Sequence, residues 1–236
     1  MPGPELTDDD VIRHGELELI GRMPWSSNGT FLAEARLGER VARVVYKPHS
    51  GERPLWDFPD GLWRREVAAY ELSEALGWNL IPLTVTREDV PLGIGSVQRF
   101  VEVDYDQHYF TFVDDIDLHP QLRRFAAFDL VSNNTDRKGG HLLLDDDRHI
   151  WGIDNGLSFH AEFKLRTVIW AVSGEPLDDD TTADLQRLVD DGLPDELAAL
   201  LGAFERDAVL VRARALLRNG ALPIDDTGHR YPWPLV

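Results

Sequence analysis

The sequence contains no cysteine, which excludes disulfides, thiolate zinc sites, cysteine nucleophiles and palmitoyl anchors together and fits a reducing compartment. No stretch approaches the roughly 18 consecutive apolar residues of a membrane-spanning helix. The opening MPGPELTDDDV has neither the basic nor the apolar region of a secretory signal, so the expected location is the cytoplasm. Positive charge is scarce, with 24 Lys and Arg against 42 Asp and Glu, a formal net charge of −18. A surface of that sign repels phosphate backbones and anionic headgroups. Neither nucleic acid nor stable membrane association is expected. Internal repeats and low-complexity tracts are missing, and His141, His149 and His160 lack HExxH or comparable spacing, which argues against a metallohydrolase.

What is present is a chain of 236 residues, 43% of them hydrophobic, enough for one sizeable core or two small lobes packed together. Thr7 followed by three Asp predicts a helix N-cap, with Gly15 as the stop. The short patterns ELELIGRM, TFLAEARL and ERVARVVYK predict strands, with Gly38 in the turn joining the last two. After a loop rich in Pro and Gly, residues Leu62, Glu66, Ala69, Tyr70, Ser73 and Leu76 recur at helical spacing, and Gly77 stands where the helix should end. LTVTRE and GIGSVQRFVEV predict two further strands. Trp56, Phe58 and Trp63 are expected to pack this part of the chain.

Beyond an acidic stretch, Leu122, Phe125, Ala126, Leu130 and Val131 predict a buried helix. The loop NTDRKGG leads into a short hairpin made of HLLL, DDDR and HIWGIDNG. The remainder reads as helical and carries much of the negative charge. From Glu175 to Asp207 there are eleven acids against Arg187 and Arg206, a local net of −9 and half the total.

Three separated features suit one chemistry. Phosphoryl transfer from a nucleotide needs a loop over the phosphates, a Lys on them, a Glu to hold that Lys, a base near the acceptor hydroxyl and an Asp on the metal. The candidates are the loop Ser26, Ser27, Asn28, Gly29 and Thr30, then Lys47, Glu66, Asp136 and Asp154. Lys138 adds a cation that could neutralise the transferred group. Arg137 would steady the loop or a phosphate, or lie in solvent.

The motifs NTDR (Asn134–Arg137) and IDNGL (Ile153–Leu157) resemble the catalytic and metal-binding loops of type II phosphatidylinositol 4-kinases. More distantly, they resemble the wider phosphoinositide 3/4-kinase and HipA-like branch of atypical kinases. SSNGTF, YKP (Tyr46–Pro48) and QRFVE (Gln98–Glu102) extend the resemblance in the same order. The whole chain is similar to a chiefly actinobacterial family carrying the phosphatidylinositol 3/4-kinase-like label.

The resemblance implies a two-lobed, protein-kinase-like α+β fold of the atypical-kinase kind. It would have an antiparallel-sheet N-lobe over residues 1–102 and a mostly helical C-lobe over 103–236, together one kinase-like domain. It further implies ATP in the cleft with adenine against Phe100, Val101 and Glu102, and Asp154 as the counterpart of the kinase DFG aspartate on Mg²⁺ or Mn²⁺.

At the position of the second metal ligand, five residues after Asp136, this sequence has His141 where the family has Asn. Imidazole suits Mn²⁺ or a softer ion better than Mg²⁺. Three readings follow: His141 is a ligand with altered metal preference, Asn133 or Asn134 supplies the oxygen, or the second site is weak and activity low. The implied function is γ-phosphoryl transfer to a hydroxyl. The acidic surface favours a protein or small soluble acceptor over a lipid. The alternatives are a nucleotide-binding pseudokinase or interaction module, or an AMP transferase.

Overall fold

A computed structural model describes residues 6–24, 26 and 28–236. The chain divides into two compact units, Met1–Val67 with Pro82–Phe100, and Ala68–Ile81 with Val101–Val236. Ser27 and Trp25 lie outside the described residues.

The first unit opens with α1 (Asp8–His14). Thr7 accepts from the Asp10 N–H, Asp10 accepts in return from the Thr7 N–H, and Gly15 closes the helix, the reciprocal cap that satisfies two otherwise orphaned donors. Strands β1 (Glu16–Arg22), β2 (Phe31–Leu37), β3 (Arg40–Pro48), β4 (Thr84–Arg87) and β5 (Gly95–Arg99) form one antiparallel sheet in the order β1-β2-β3-β5-β4. Val11 and Ile12 of α1 are buried, as are Ala33, Ala35, Val44, Tyr46 and Val97 of the sheet. The buried Arg87 guanidinium donates to the carbonyls of Ile12 and Gly15, each at 2.9 Å, and to Asp89, so the last turn of α1 is satisfied by a side chain from β4. Strand β5 stops at Arg99, short of the predicted run to Val103. The Phe100 N–H still reaches the Arg43 carbonyl, but Glu102 and Asp104 beyond it are exposed.

Helix α2 (Leu62–Leu76) has the predicted limits. Residues 62–67 belong to the first unit and 68–76 to the second. Glu66, Arg65 and Ser73 are buried along with its apolar residues, so the helix is enclosed over most of its circumference. Trp63 is buried and Phe58 lies under the Arg65 guanidinium, but Trp56 is 96% exposed. The expectation that all three aromatics pack this unit therefore fails at Trp56, which sits in the loop between Pro54 and Pro59.

The second unit is built on α4 (His119–Ser132), preceded by the short α3 (Tyr109–Phe112). Leu122, Phe125, Ala126 and Val131 enter its core with Tyr109, Phe112, Leu142, Ile150 and Phe159. The hairpin is β6 (Leu142–Leu144) with β7 (Ile150–Gly152). Helices α5 (Asp179–Asp191), α6 (Asp195–Leu200) and α7 (Ala203–Asn219) complete the unit. Two details differ from the sequence pattern. Within the remainder that reads as helical, residues 195–204 do not form one helix, because Leu201 is extended and Gly202 caps a new one. Residues 153–178 are irregular although Leu165, Val168, Ile169 and Val172 are buried, since this stretch is held by a parallel bridge between Thr167 and Arg137.

Gly152, at the end of β7, is required by space. A Cβ there would lie 2.6 Å from Phe125 Cε1 and 3.1 Å from Ile81 Cδ1. Gly152→Ala is expected to cost about 1–3 kcal/mol of stability through overpacking. A urea midpoint equal to that of the parent would contradict this packing.

Candidate active site

In the first unit, Lys47 lies near the end of β3, opposite Ser96 of β5. Its Nζ forms an ion pair with Glu66 Oε1 on α2, and the Glu66 side chain is almost wholly buried. Burying a carboxylate is expensive unless a partner compensates it, and Lys47 is that partner. The ion pair that the sequence placed only by position is thus present.

The small-residue loop is folded onto the turn that follows β3. Ser26 Oγ and Thr30 Oγ1 are 2.8 Å apart, and Asn28 Oδ1 accepts from the Arg53 N–H at 3.0 Å. The Gly29 N–H donates to the Gly51 carbonyl at 2.8 Å, and the Thr30 N–H to the Asn28 carbonyl at 3.0 Å. A Cβ on Gly29 would lie 2.9 Å from Gly51 Cα, and one on Gly51 would lie 2.7 Å from the Gly29 carbonyl oxygen, so this approach needs glycine on both sides. With the Ser26 N–H donating to the Met23 carbonyl at 3.4 Å, three of the four described loop positions direct their N–H groups at protein acceptors.

Nothing in the sequence singled out His49, Glu52 and Asp60. The Glu52 carboxylate accepts from the N–H groups of Gly61, at 3.2 Å, and Trp63, at 2.7 Å. It thus caps the start of the helix that carries Glu66. His49 stands 3.3 Å from Glu52 and 3.5 Å from Asp60. These three could share a cation, but the two N–H donors already occupy the Glu52 oxygens. Of the residues assigned to adenine, Phe100 donates its N–H to Arg43, and the Val101 carbonyl accepts from Tyr105 Oη at 3.0 Å. Glu102 is exposed.

In the second unit the organising group is Arg137, fully buried with Asp129 of α4. Its Nε and Nη2 donate to Asp129 at 3.0–3.2 Å, Nη1 to the Ile153 carbonyl at 2.8 Å, and Nη2 to Asn155 Oδ1 at 2.7 Å. Thr167 Oγ1 also donates to Asp129, at 3.0 Å. Burial pushes the Asp129 carboxyl up, opposed by the Arg137 charge and the hydrogen bonds from Arg137 and Thr167. Ile153 and Asn155 flank Asp154, so one guanidinium fixes the NTDR loop to the IDN loop on both sides of the predicted metal ligand. This excludes the solvent-exposed alternative for Arg137. Asn155 and Thr167 carry no sequence signal for this role; for Asp129 the hint is a charged residue among apolar helix positions.

Around this hub, Asp136 Oδ2 stands 3.2 Å from Lys138 Nζ. The Asp136 N–H donates to Asn134 Oδ1 at 2.9 Å, the local turn that Asn favours. Burial pushes the Asp136 carboxyl above the ordinary carboxylate range, opposed chiefly by Lys138, while the Asp154 charge pushes it further up. His141 Nε2 lies 3.4 Å from Asp154 Oδ2. Asp154 adopts a left-handed backbone, φ 56°, a conformation that costs a non-glycine residue and persists where its surroundings impose it.

The side chains offered as the second metal ligand differ in their surroundings. Asn133 spends its amide within the protein, donating to the carbonyls of His160 and Glu162 and accepting from the Lys164 N–H. Asn134 Oδ1 is engaged by Asp136, and its buried Nδ2 has no partner among the described residues. His141 and Asp154, by contrast, present a nitrogen and an oxygen at a separation close to that of two donors on one cation with bonds near ~2.1 Å.

No family model matches the chain. Among solved structures, hydra Fam20, determined with a sugar, aligns with 87% of this chain and 84% of its own at a TM-score of 0.58 and 12% identity. The proinflammatory kinase CtkA of Helicobacter pylori covers 88% of this chain and 93% of its own at a TM-score of 0.45 and 10% identity. The likeness to Fam20 shows the fold, which is α+β and kinase-like, with the antiparallel sheet in one unit and mostly helices in the other. Protein Rv2133c of Mycobacterium tuberculosis (strain ATCC 25618 / H37Rv) is 42% identical over 271 residues, covering 97% of this chain and 96% of the relative. With that identity over nearly the whole of both sequences, the chain belongs to the same family as Protein Rv2133c.

Proposed function

We propose that the chain is an ATP-dependent phosphotransferase of the phosphatidylinositol 3/4-kinase-like superfamily. It would move the γ-phosphoryl group to a hydroxyl of a protein or small soluble acceptor, with Mg²⁺ or Mn²⁺. The observation that carries the reading is the Arg137 hub, which fixes a half-buried carboxylate paired with a lysine and a second carboxylate beside an imidazole. In the reaction, the acceptor oxygen forms a bond to the γ-phosphorus while the bond to the ADP oxygen breaks. Asp136 takes the proton of the acceptor hydroxyl at a carboxylate oxygen. Its raised pKa makes it a better base than an exposed Asp, and Lys138 balances its charge and that of the transferred group. Lys47, oriented by Glu66, contacts the nucleotide phosphates. His141 and Asp154 would hold the divalent metal, which supplies neutralisation of phosphate charge.

The net charge of −18 supports a soluble acceptor over an anionic lipid surface. Among the described residues no helix is long and apolar enough to cross a membrane.

Calorimetric titration with ATP and Mg²⁺ or Mn²⁺ tests the nucleotide assignment. The parent should bind metal·ATP, and Lys47→Met should weaken that binding about tenfold or more. A parent that does not bind metal·ATP would sink the proposal.

A pH prediction follows from Asp136. It must be deprotonated to act, and the Lys138 charge holds its pKa down against burial. Lys138→Met removes that charge, so the acid limb of kcat/KM should move to higher pH. A limb that stays in place or moves lower would show that Asp136 is not the titrating base.

A further inference from the structure

Segment Arg230–Val236 of the second unit runs beside the loop that carries Asp136 and Lys138. Its Arg230 carbonyl accepts the Thr167 N–H at 2.9 Å, and its Leu235 carbonyl accepts the Gly139 N–H at 2.7 Å. Thr167 is itself bridged to Arg137, so the segment touches the loop directly at Gly139 and indirectly at Arg137, on either side of Lys138. The contact is anchored at both ends. The Arg230 guanidinium sits 5.0 Å from the Phe163 ring centroid, the Arg230 N–H donates to Asp225 Oδ2, and Leu235 packs on the hydrophobic core. Gly139 is also confined from the side, since a Cβ there would lie 2.9 Å from the Phe110 ring and 3.4 Å from the Leu235 carbonyl oxygen.

We propose that Arg230–Val236 is a strap that positions the catalytic loop, with Leu235 as a positioning residue for Asp136 and Lys138. Its kinetic consequence rests on the phosphotransferase reading; its structural consequence does not. The loop between Asp136 and His141 contains two adjacent glycines, Gly139 and Gly140, which permit many backbone conformations, and its own closure includes the His141 N–H donating to the Lys138 carbonyl at 3.1 Å. A carbonyl clamp held by a packed side chain supplies the stiffness that a proton acceptor needs, because a displacement of about 1 Å can cost ~100-fold in rate.

The test compares the full chain with Leu235→Asp and Leu235→Met, following Gly139 amide exchange, kcat for γ-phosphoryl transfer and the Kd for metal·ATP. In the parent the Gly139 amide should be protected. In Leu235→Asp it should exchange at least about tenfold faster, with kcat reduced about 10- to 100-fold and Kd changed less than about twofold. Leu235→Met should restore both protection and rate. The strap is overturned if Gly139 exchanges freely in the parent, if Leu235→Asp keeps the parent kcat, or if kcat and ATP affinity fall together with the thermal midpoint. A parent with no phosphoryl transfer whose Gly139 protection still depends on Leu235 would remove the phosphotransferase reading and leave the strap standing.

Discussion

Asp136→Asn is expected to lower kcat for phosphoryl transfer about 10²- to 10⁴-fold, with the fold and ATP affinity retained. Asn has nearly the same shape, and the hydrogen bond that sets the loop is made by the backbone N–H of this residue to Asn134 Oδ1, so the turn survives. In the proposed reaction, what is lost is the group that takes the acceptor proton, together with the charge facing Lys138 Nζ at 3.2 Å. Steady-state rates with Mg²⁺ and with Mn²⁺ measure the effect. A variant that runs at the parent rate would show that the proton leaves by another route.

The second large effect concerns stability. Asp129→Ala leaves the fully buried Arg137 guanidinium without its carboxylate, and breaking a buried pair from one side costs about 3–5 kcal/mol. Against a domain stability of about 5–15 kcal/mol, that should appear as a large fall in the urea midpoint. The double variant Asp129→Leu with Arg137→Met separates packing from positioning. Apolar residues of similar volume remove the unpaired charge and should recover part of the stability. Activity should stay low, because the Ile153 carbonyl and Asn155 Oδ1 lose the donor that fixes them on either side of Asp154. Recovery of rate in the double variant would mean that Arg137 is only a packing element. An Asp129→Ala midpoint equal to that of the parent would contradict the buried pair.

Local chemistry in the sequence was legible where it is self-sufficient. Thr7 with Asp10 marks a helix start, Gly77 follows a helix end, and the strand patterns give β1 to β4 because each alternates within a few residues. The facing of Lys47 and Glu66 was legible only through motif order, since nothing between the two residues encodes their contact. Long-range polar pairing left no trace. Asp129 reads as an interruption of an apolar helix and Asn155 as a turn residue, yet both are partners of Arg137. The irregular run 153–178 also escaped, because its backbone groups pair with distant segments such as those at Arg137 and Arg230. At Trp56 residue type was misleading: a large aromatic next to a helix was expected to pack, and it is exposed.

Incubation with ATP labelled at either the α or the γ phosphorus decides whether the proposed γ-phosphoryl transfer takes place. Run with Mg²⁺ and Mn²⁺ in parallel, the experiment should show label leaving from the γ position only, faster with Mn²⁺ because His141 replaces an oxygen ligand. Asp154→Asn should stop it. Transfer of the α label would instead make the chain an AMP transferase, and retention of both labels in intact ATP with either metal would make it a nucleotide-binding protein without this chemistry; either result rules out γ-phosphoryl transfer.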